Sequence, residues 1–192
     1  MTAPTLNIND LRKQYMSTRT VLCTGNPANS ANLAHGIQKL FPEATFIHRS
    51  AGWDLTDSSD DAVQRLRDIF KKHNTFINAS YIGPYVQSQL LELCNQSVKY
   101  CDVFNIGSTN EYDGINSGLY QDSKLHLRNN SLRLNTYRFK THHIIVGGIN
   151  KHDTEETKSW LSVDTVCKII PWIMQQEFEV PIICVDQPKQ AW

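Results

Sequence analysis

The chain has 192 residues in which 19 Lys and Arg are matched by 19 Asp and Glu, so its formal charge is zero. A balanced chain lacks the basic excess that phosphate-backbone contacts or an anionic membrane surface require, which removes nucleic acid and membranes from the expected partners. With 40% apolar and 20% charged residues, the composition excludes disordered and fibrous classes and suits one domain with a sizeable core.

Residues 1–19 are polar and only weakly periodic, with Asn9 and Asp10 as candidate helix caps, and read as a lead-in segment before a single domain over 20–192. They lack a basic stretch followed by an apolar one, and no apolar run approaches the roughly 18 residues that span a bilayer. The chain therefore reads as soluble and cytoplasmic. Val21-Leu22-Cys23 is a short apolar strand closed by Thr24-Gly25, and Leu33, Ile37 and Leu40 put one apolar face on a helix between Ala31 and Leu40. Strands at 44–48, 75–79, 102–106, 142–146 and 181–185 then alternate with helical patterns at 61–70, 86–98, 119–134 and 160–174, where Pro171 is expected to kink or interrupt the last. Six short apolar strands alternating with helices predict a doubly wound parallel α/β sheet in three layers.

Ligands of such sheets bind at the carboxyl ends of the strands, so the loops there carry the candidate chemistry. After the first strand, Gly25 can take the positive φ of a strand-to-helix turn, and the free amides of the next helix suit a pyrophosphate. After the second strand stand Arg49 and Ser50, a cation and a hydroxyl where a carboxylate would favour NAD, so charge complementarity points to NADP(H). After the fourth, Ser108 precedes a helix that opens with Tyr120 and Lys124, one turn apart on one face. The ammonium favours the phenolate, and the serine can donate to a carbonyl oxygen, a trio suited to proton transfer during hydride exchange.

At these residues the chain resembles the short-chain dehydrogenase/reductase family, from about residue 20 to the end. The family's Thr-Gly-x-x-x-Gly-x-Gly loop corresponds to Thr24 and Gly25, with Asn29 and Ala31 where the later glycines stand; the Asp-Val after its third strand corresponds to Asp54-Leu55. Its Asn-Asn-Ala-Gly corresponds to the stretch through Asn78, Ala79 and Ser80, and its Pro-Gly turn beside the nicotinamide to Gly147-Gly148. The resemblance implies Ser108, Tyr120 and Lys124 as the catalytic trio. It also implies a cofactor site over Gly25, Asn29, Ser30, Arg49, Ser50, Asp54, Leu55, Asn78, Ala79, Tyr120, Lys124, Gly147 and Gly148. A Rossmann-type fold, NADP(H) in preference to NAD(H), a small carbonyl or alcohol substrate, and a homodimer or larger oligomer paired through helices 86–98 and 119–134 follow from the same resemblance. Ser80 and Ser108 lie too close in sequence for the family's usual helices, so its catalytic helix asparagine has no equivalent, and the pocket is expected to be open or completed by a partner subunit. The alternative is a non-catalytic relative that binds a nucleotide or a protein and retains the trio.

The remaining residues carry no chemistry on this reading. The five cysteines lack metal-ligand spacing and read as buried thiols in a reducing compartment. His142 and His143 are adjacent on a strand, so they point to opposite faces and are expected as one packed and one exposed side chain rather than a metal pair. The four tryptophans read as core or interface anchors.

Overall fold

In the computed structural model, which describes residues 18–113, 118–150 and 160–187, eight strands occur. These are β1 (Val21–Thr24), β2 (Thr45–Ile47), β3 (Thr75–Asn78), β4 (Cys101–Ile106), β5 (Phe139–Val146), β6 (Ile149–Asn150), β7 (Leu161–Ser162) and β8 (Ile182–Val185). Between them run α1 (Leu33–Leu40), α2 (Asp60–Phe70), α3 (Val86–Ser97), the short α4 (Asn110–Asp113), α5 (Leu119–Leu134) and α6 (Val163–Met174), with a 3-10 turn at Arg49–Ala51. Six strands form one parallel sheet in the order β2-β1-β3-β4-β5-β8, while β6 and β7 pair only with each other. The expected three-layer doubly wound architecture is what forms.

Neighbouring side chains on a strand point to opposite faces, and here both faces are apolar. Val21, Cys23, Ile77, Phe104, Ile106, Ile144 and Val146 pack beneath α1 and α6. Leu22, Ile47, Phe76, Cys101, Val103 and Phe139 pack beneath α2, α3 and α5. On the first face α1 lies so close to α6 that a Cβ on Gly36 would stand 2.7 Å from Cys167 Sγ. The helix starts are set locally: Ser59 Oγ accepts from Ala62 N ahead of Asp60 and Asp61, and Ser162 Oγ accepts from Thr165 N ahead of Asp164.

The order places the site. The chain leaves β1 for β2 on one side and continues through β3 on the other, so the crevice outside the carboxyl ends of β1 and β3 is the point of topological reversal. Compared with the usual dinucleotide-binding order 3-2-1-4-5-6, the described residues hold one strand on the far side of β1 rather than two. Asp54-Leu55 accordingly follows the 3-10 turn after β2 and not a third strand. A single helix, α3, joins β3 to β4.

Four expectations are corrected. His142 and His143 are both buried, on opposite faces: His142 stacks on Phe104 at 4.7 Å and gives Nδ1 to Val180 O, its basicity lowered by burial, while His143 is fully enclosed. Both faces of β5 are covered, so neither orientation reaches solvent. Cys184 is exposed, unlike the other four cysteines; Ile183 packs beneath α6, so Cys184 points to the opposite face, on the edge strand of the sheet. Burial pushes the Cys167 thiol up to about 12 and that of Cys23 higher still. Pro171 does not interrupt α6, which continues to Met174 although the proline has no amide proton to give the Cys167 carbonyl. Trp160 lines a cavity rather than the core. The lead-in 1–17, the polar run 151–159 and Trp192 lie outside the described residues.

Candidate active site

Two cavities open along the carboxyl edge of the sheet, one of about 510 Å³ over β3, β4 and β5 and one of about 320 Å³ over β1 and β2. Ser80 lines both.

The larger cavity holds the expected trio: Ser108 from the end of β4, and Tyr120 and Lys124 from the first turns of α5. Lys124 is 3% exposed, which only satisfied bonds make tolerable for an ammonium. Its Nζ donates to Gln87 Oε1 at 2.7 Å and to Ile106 O at 2.8 Å, two of its three donors, and stands 5.6 Å from the centre of the Tyr120 ring and 5.7 Å from that of Tyr81. Burial lowers its pKa from the ordinary 10.5 to about 8, and the charge of Glu111 works against that fall. Tyr81 and Tyr120 meet edge to face at 4.7 Å, so two phenol rings wall the ammonium. Ser108 Oγ accepts from Asn110 N at 3.3 Å, which leaves its hydroxyl proton free for the cavity. Trp160 forms the opposite wall; its ring lies so close over Gly148 that a Cβ there would stand 2.7 Å from it, and at Gly147 a Cβ would collide with Asp186 Oδ1.

Toward the other end, Thr24 Oγ1 accepts from Ala79 N at 2.9 Å and Ser80 N at 3.0 Å, and Ser80 Oγ donates to Thr24 O at 3.1 Å. The loops after β1 and β3 are thereby stitched together, with Gly25 at φ +124° between them. The loop that follows is held by its own side chains: Asn26 Oδ1 accepts from Ala28 N and Asn29 Oδ1 from Ala31 N, each at 3.0 Å. Ala31, Asn32 and Leu33 line the larger cavity, and the Asn32 side chain makes no bond to the start of α1. No side chain caps the amides of that first turn and no acidic side chain stands among them, while His35 N is bonded to Asn32 O.

The smaller cavity is walled by Ile47, Trp53, Leu55 and Ile82 with Arg49 and Asp54 at its polar side. Thr56 donates to Asp54 Oδ1 from its amide at 3.0 Å and its hydroxyl at 2.6 Å, which holds that carboxyl below its usual range. Arg65 covers the outer Trp53 ring at 4.7 Å. Helix-start amides, an apolar slot and a cation in this order fit the phosphates and base of a dinucleotide.

No family model matches the chain, and no curated protein does. Solved structures do. The 3-alpha-hydroxysteroid dehydrogenase from Pseudomonas sp. B-0831, solved with NADH, superposes with a TM-score of 0.63 at 13% identity over 86% of this chain and 95% of that one. A short-chain dehydrogenase from Sphingobium yanoikuyae, solved with NADPH, gives 0.65 at 13% identity over 86% and 87%. An oxidoreductase of the short-chain dehydrogenase/reductase family from Burkholderia thailandensis gives 0.62 at 14% identity over 87% and 90%. The fold is that of the short-chain dehydrogenases/reductases.

Within that short-chain dehydrogenase/reductase fold, the larger cavity gathers Ser108, Tyr120, Lys124, Ala79 and Gly147, and the smaller one Gly25, Arg49, Asp54 and Leu55. Asn29 and Ser30 line neither, Ser50 Oγ is bonded to His48 Nδ1, and Gly148 lies under Trp160. Asn78 is buried below the site, donating to Asn105 Oδ1 and Gln87 O. Three residues that the sequence reading missed stand behind the trio. Gln87, on the first turn of α3, takes the lysine and returns its Nε2 to Asn78 O at 2.8 Å; a lone glutamine in a helical pattern gives no signal. Glu111 and His143 lie beneath Ser108, and Ser108-Thr109-Asn110-Glu111 carries the Ser-x-x-Glu spacing of a capping box, which was legible. Among the described residues no cluster could hold a metal ion, and no helix is long and apolar enough to cross a membrane.

Proposed function

We propose that the chain is an NADP(H)-dependent oxidoreductase of the short-chain type, acting on a small carbonyl or alcohol, with Tyr120 as its acid/base. The observation that carries this reading is the buried Lys124 ammonium set against the Tyr120 ring on the floor of a cavity that Ser108 also lines. A fold gains nothing in stability from such a lysine, so its place there is explained by chemistry.

Arg49, Asp54 and Leu55 hold the adenosine end, and the first-turn amides of α1 with Gly25 hold the phosphates. Asn29, Ser30 and Ser50 lie beside that path, and Asn78, Ala79, Gly147 and Gly148 shape the nicotinamide end. When bound, the reduced nicotinamide supplies a hydride. Tyr120 gives its phenolic proton to the oxygen of the substrate carbonyl, Ser108 donates a hydrogen bond to that oxygen, and Lys124 stabilises the phenolate left behind. Arg49 would draw the 2′-phosphate by its charge, against the opposing charge of the Asp54 carboxylate, which Thr56 keeps ionised.

Residues 20–192 act as one dinucleotide-binding unit in the cytoplasm, paired with a second copy through α3 and α5. Light scattering at tens of micromolar should give at least twice the chain mass. A second reading, a nucleotide-binding module without turnover, is favoured by the bond from Ala31 N to Asn29, which withdraws one amide from the phosphate loop. Titration of NADPH and NADH against the protein, followed by a panel of small aldehydes and ketones with reduced-nicotinamide absorbance as readout, separates the two. Oxidation of NADPH that depends on the carbonyl supports the enzyme. Binding of NADPH without turnover of any carbonyl supports the module, and no binding of either cofactor removes both.

A further inference from the structure

One buried carboxylate touches several parts of the reaction end without lining the cavity. Glu111, on α4, has a side chain with no exposure, and so has His143 on β5, whose Nε2 stands 3.0 and 3.1 Å from the two carboxylate oxygens. Glu111 Oε1 also accepts from Ser108 N at 2.9 Å, while Glu111 N donates to Ser108 O at 3.0 Å and Asn110 N to Ser108 Oγ. The serine turn is thus closed in both directions on the glutamate, as in a capping box, and the glutamate is moored to the sheet through the histidine. Gly107 is packed against the same pair: a Cβ there would collide with Glu111 Oε1 and come 2.5 Å from His143 Nε2.

We propose that Glu111 is a positioning residue for this site, its single carboxylate fixing the Ser108 turn against β5 while supplying the negative charge that Lys124 faces. The proposal rests on the oxidoreductase reading for its purpose but on the clamp for its geometry. The titratable and charged groups around the carboxylate are His143 from β5 and, from α5, Lys124 and Arg128, whose Nη1 is 3.8 Å away and whose guanidinium lies over the Tyr112 ring at 5.2 Å. The histidine bond is short and enclosed, whereas Arg128 is part-exposed and long, so the clamp runs through β5. Lys124 is driven toward neutrality by burial, and Glu111 opposes this. A neutral lysine could not stabilise a phenolate, so loss of this one charge would loosen the serine and discharge the lysine together.

Lysine-selective and amide NMR on the full chain, without cofactor or substrate, tests the clamp. The Lys124 signal is assigned by its loss in Lys124→Met. In Glu111→Gln the lysine midpoint should fall by about one pH unit and the Ser108 amide should exchange at least about tenfold faster. Glu111→Asp keeps the charge but withdraws it by one methylene, so the Ser108 amide should lose protection while the lysine midpoint stays close to the parent's. If Glu111→Gln fails to fold, the aspartate variant still reads both arms. An unchanged Ser108 amide in either variant, or an unmoved lysine in a folded Glu111→Gln, overturns the proposal. Because neither readout uses NADPH, an absence of turnover in the parent would sink the oxidoreductase reading and leave this result standing.

Discussion

At the reaction end of the groove, Lys124, Gln87, Glu111 and His143 are all buried and bond to groups on other elements, linking α3, α4, α5, β4 and β5. At the nucleotide end, Asn26 and Asn29 are bonded two residues along their own loop, and Arg49 and Asp54 sit on a turn beyond the short β2. The first arrangement fixes side chains to within what the sheet allows; the second fixes a backbone and leaves its side chains to solvent. Cross-bracing between elements resists displacement, whereas local turns yield to a ligand. Substitutions at the two ends should therefore separate, with turnover sensitive at one and affinity at the other.

The largest separation is expected from Tyr120→Phe. It removes the transferable proton and keeps the ring against Tyr81, so turnover should fall by a factor on the order of 10² to 10⁴ with NADPH affinity within about twofold. Steady-state rates and fluorescence titration on one preparation check both halves, and a Phe variant that turns over at the parent rate moves the acid/base elsewhere.

Next in size is the stability of Lys124 against pH. Its pKa is lowered to about 8 in the fold and is ordinary, 10.5, in the unfolded chain. Below pH 8 both states hold the proton. Between 8 and 10.5 the unfolded chain binds one more, so stability from this group rises with pH, by up to about 3 kcal/mol. Urea midpoints across that window should climb more steeply for the parent than for Lys124→Met, and parallel curves would refute the depressed lysine. Turnover should run the other way, declining as pH passes about 8.

Arg49→Asp probes the nucleotide end and should shift the NADPH-to-NADH preference by about 1–3 kcal/mol toward NADH; equal affinities in parent and variant would remove Arg49 from phosphate recognition. The smallest effect is Asn29→Gly. It frees the amide of Ala31 and should tighten NADPH by a few-fold, on the order of one hydrogen bond, with turnover at saturating NADPH unchanged. Weaker binding would show that the Asn29 turn preforms the loop.

The same contrast governs how much the sequence disclosed. A strand such as Asp102 to Ile106 was readable from its short apolar run, and the helix 119–134 from its length rather than from a clean apolar period. Tyr120 and Lys124 were readable because α5 puts residues four apart on one face, and Ser108 because it follows a strand at the binding edge of the sheet. The order of the sheet was not: nothing in the run from Arg49 to Asp60 announces that β2 ends the sheet. Gln87 and His143 were hidden for a related reason, since a polar residue in a buried element acquires meaning only from what tertiary packing sets across from it. His143 was set aside with its neighbour as a metal question, when its partner stood 32 residues earlier in Glu111.

The two-residue ladder of β6 and β7 brings residues 149–150 beside 161–162 at the rim of the larger cavity, with Leu161 N bonded to Gly148 O at 2.9 Å. The ladder itself stands apart from the six-stranded sheet. Changes to its strands would leave every register of the larger sheet in place, so this rim is the position at which a new specificity could be grafted onto an unchanged reaction centre.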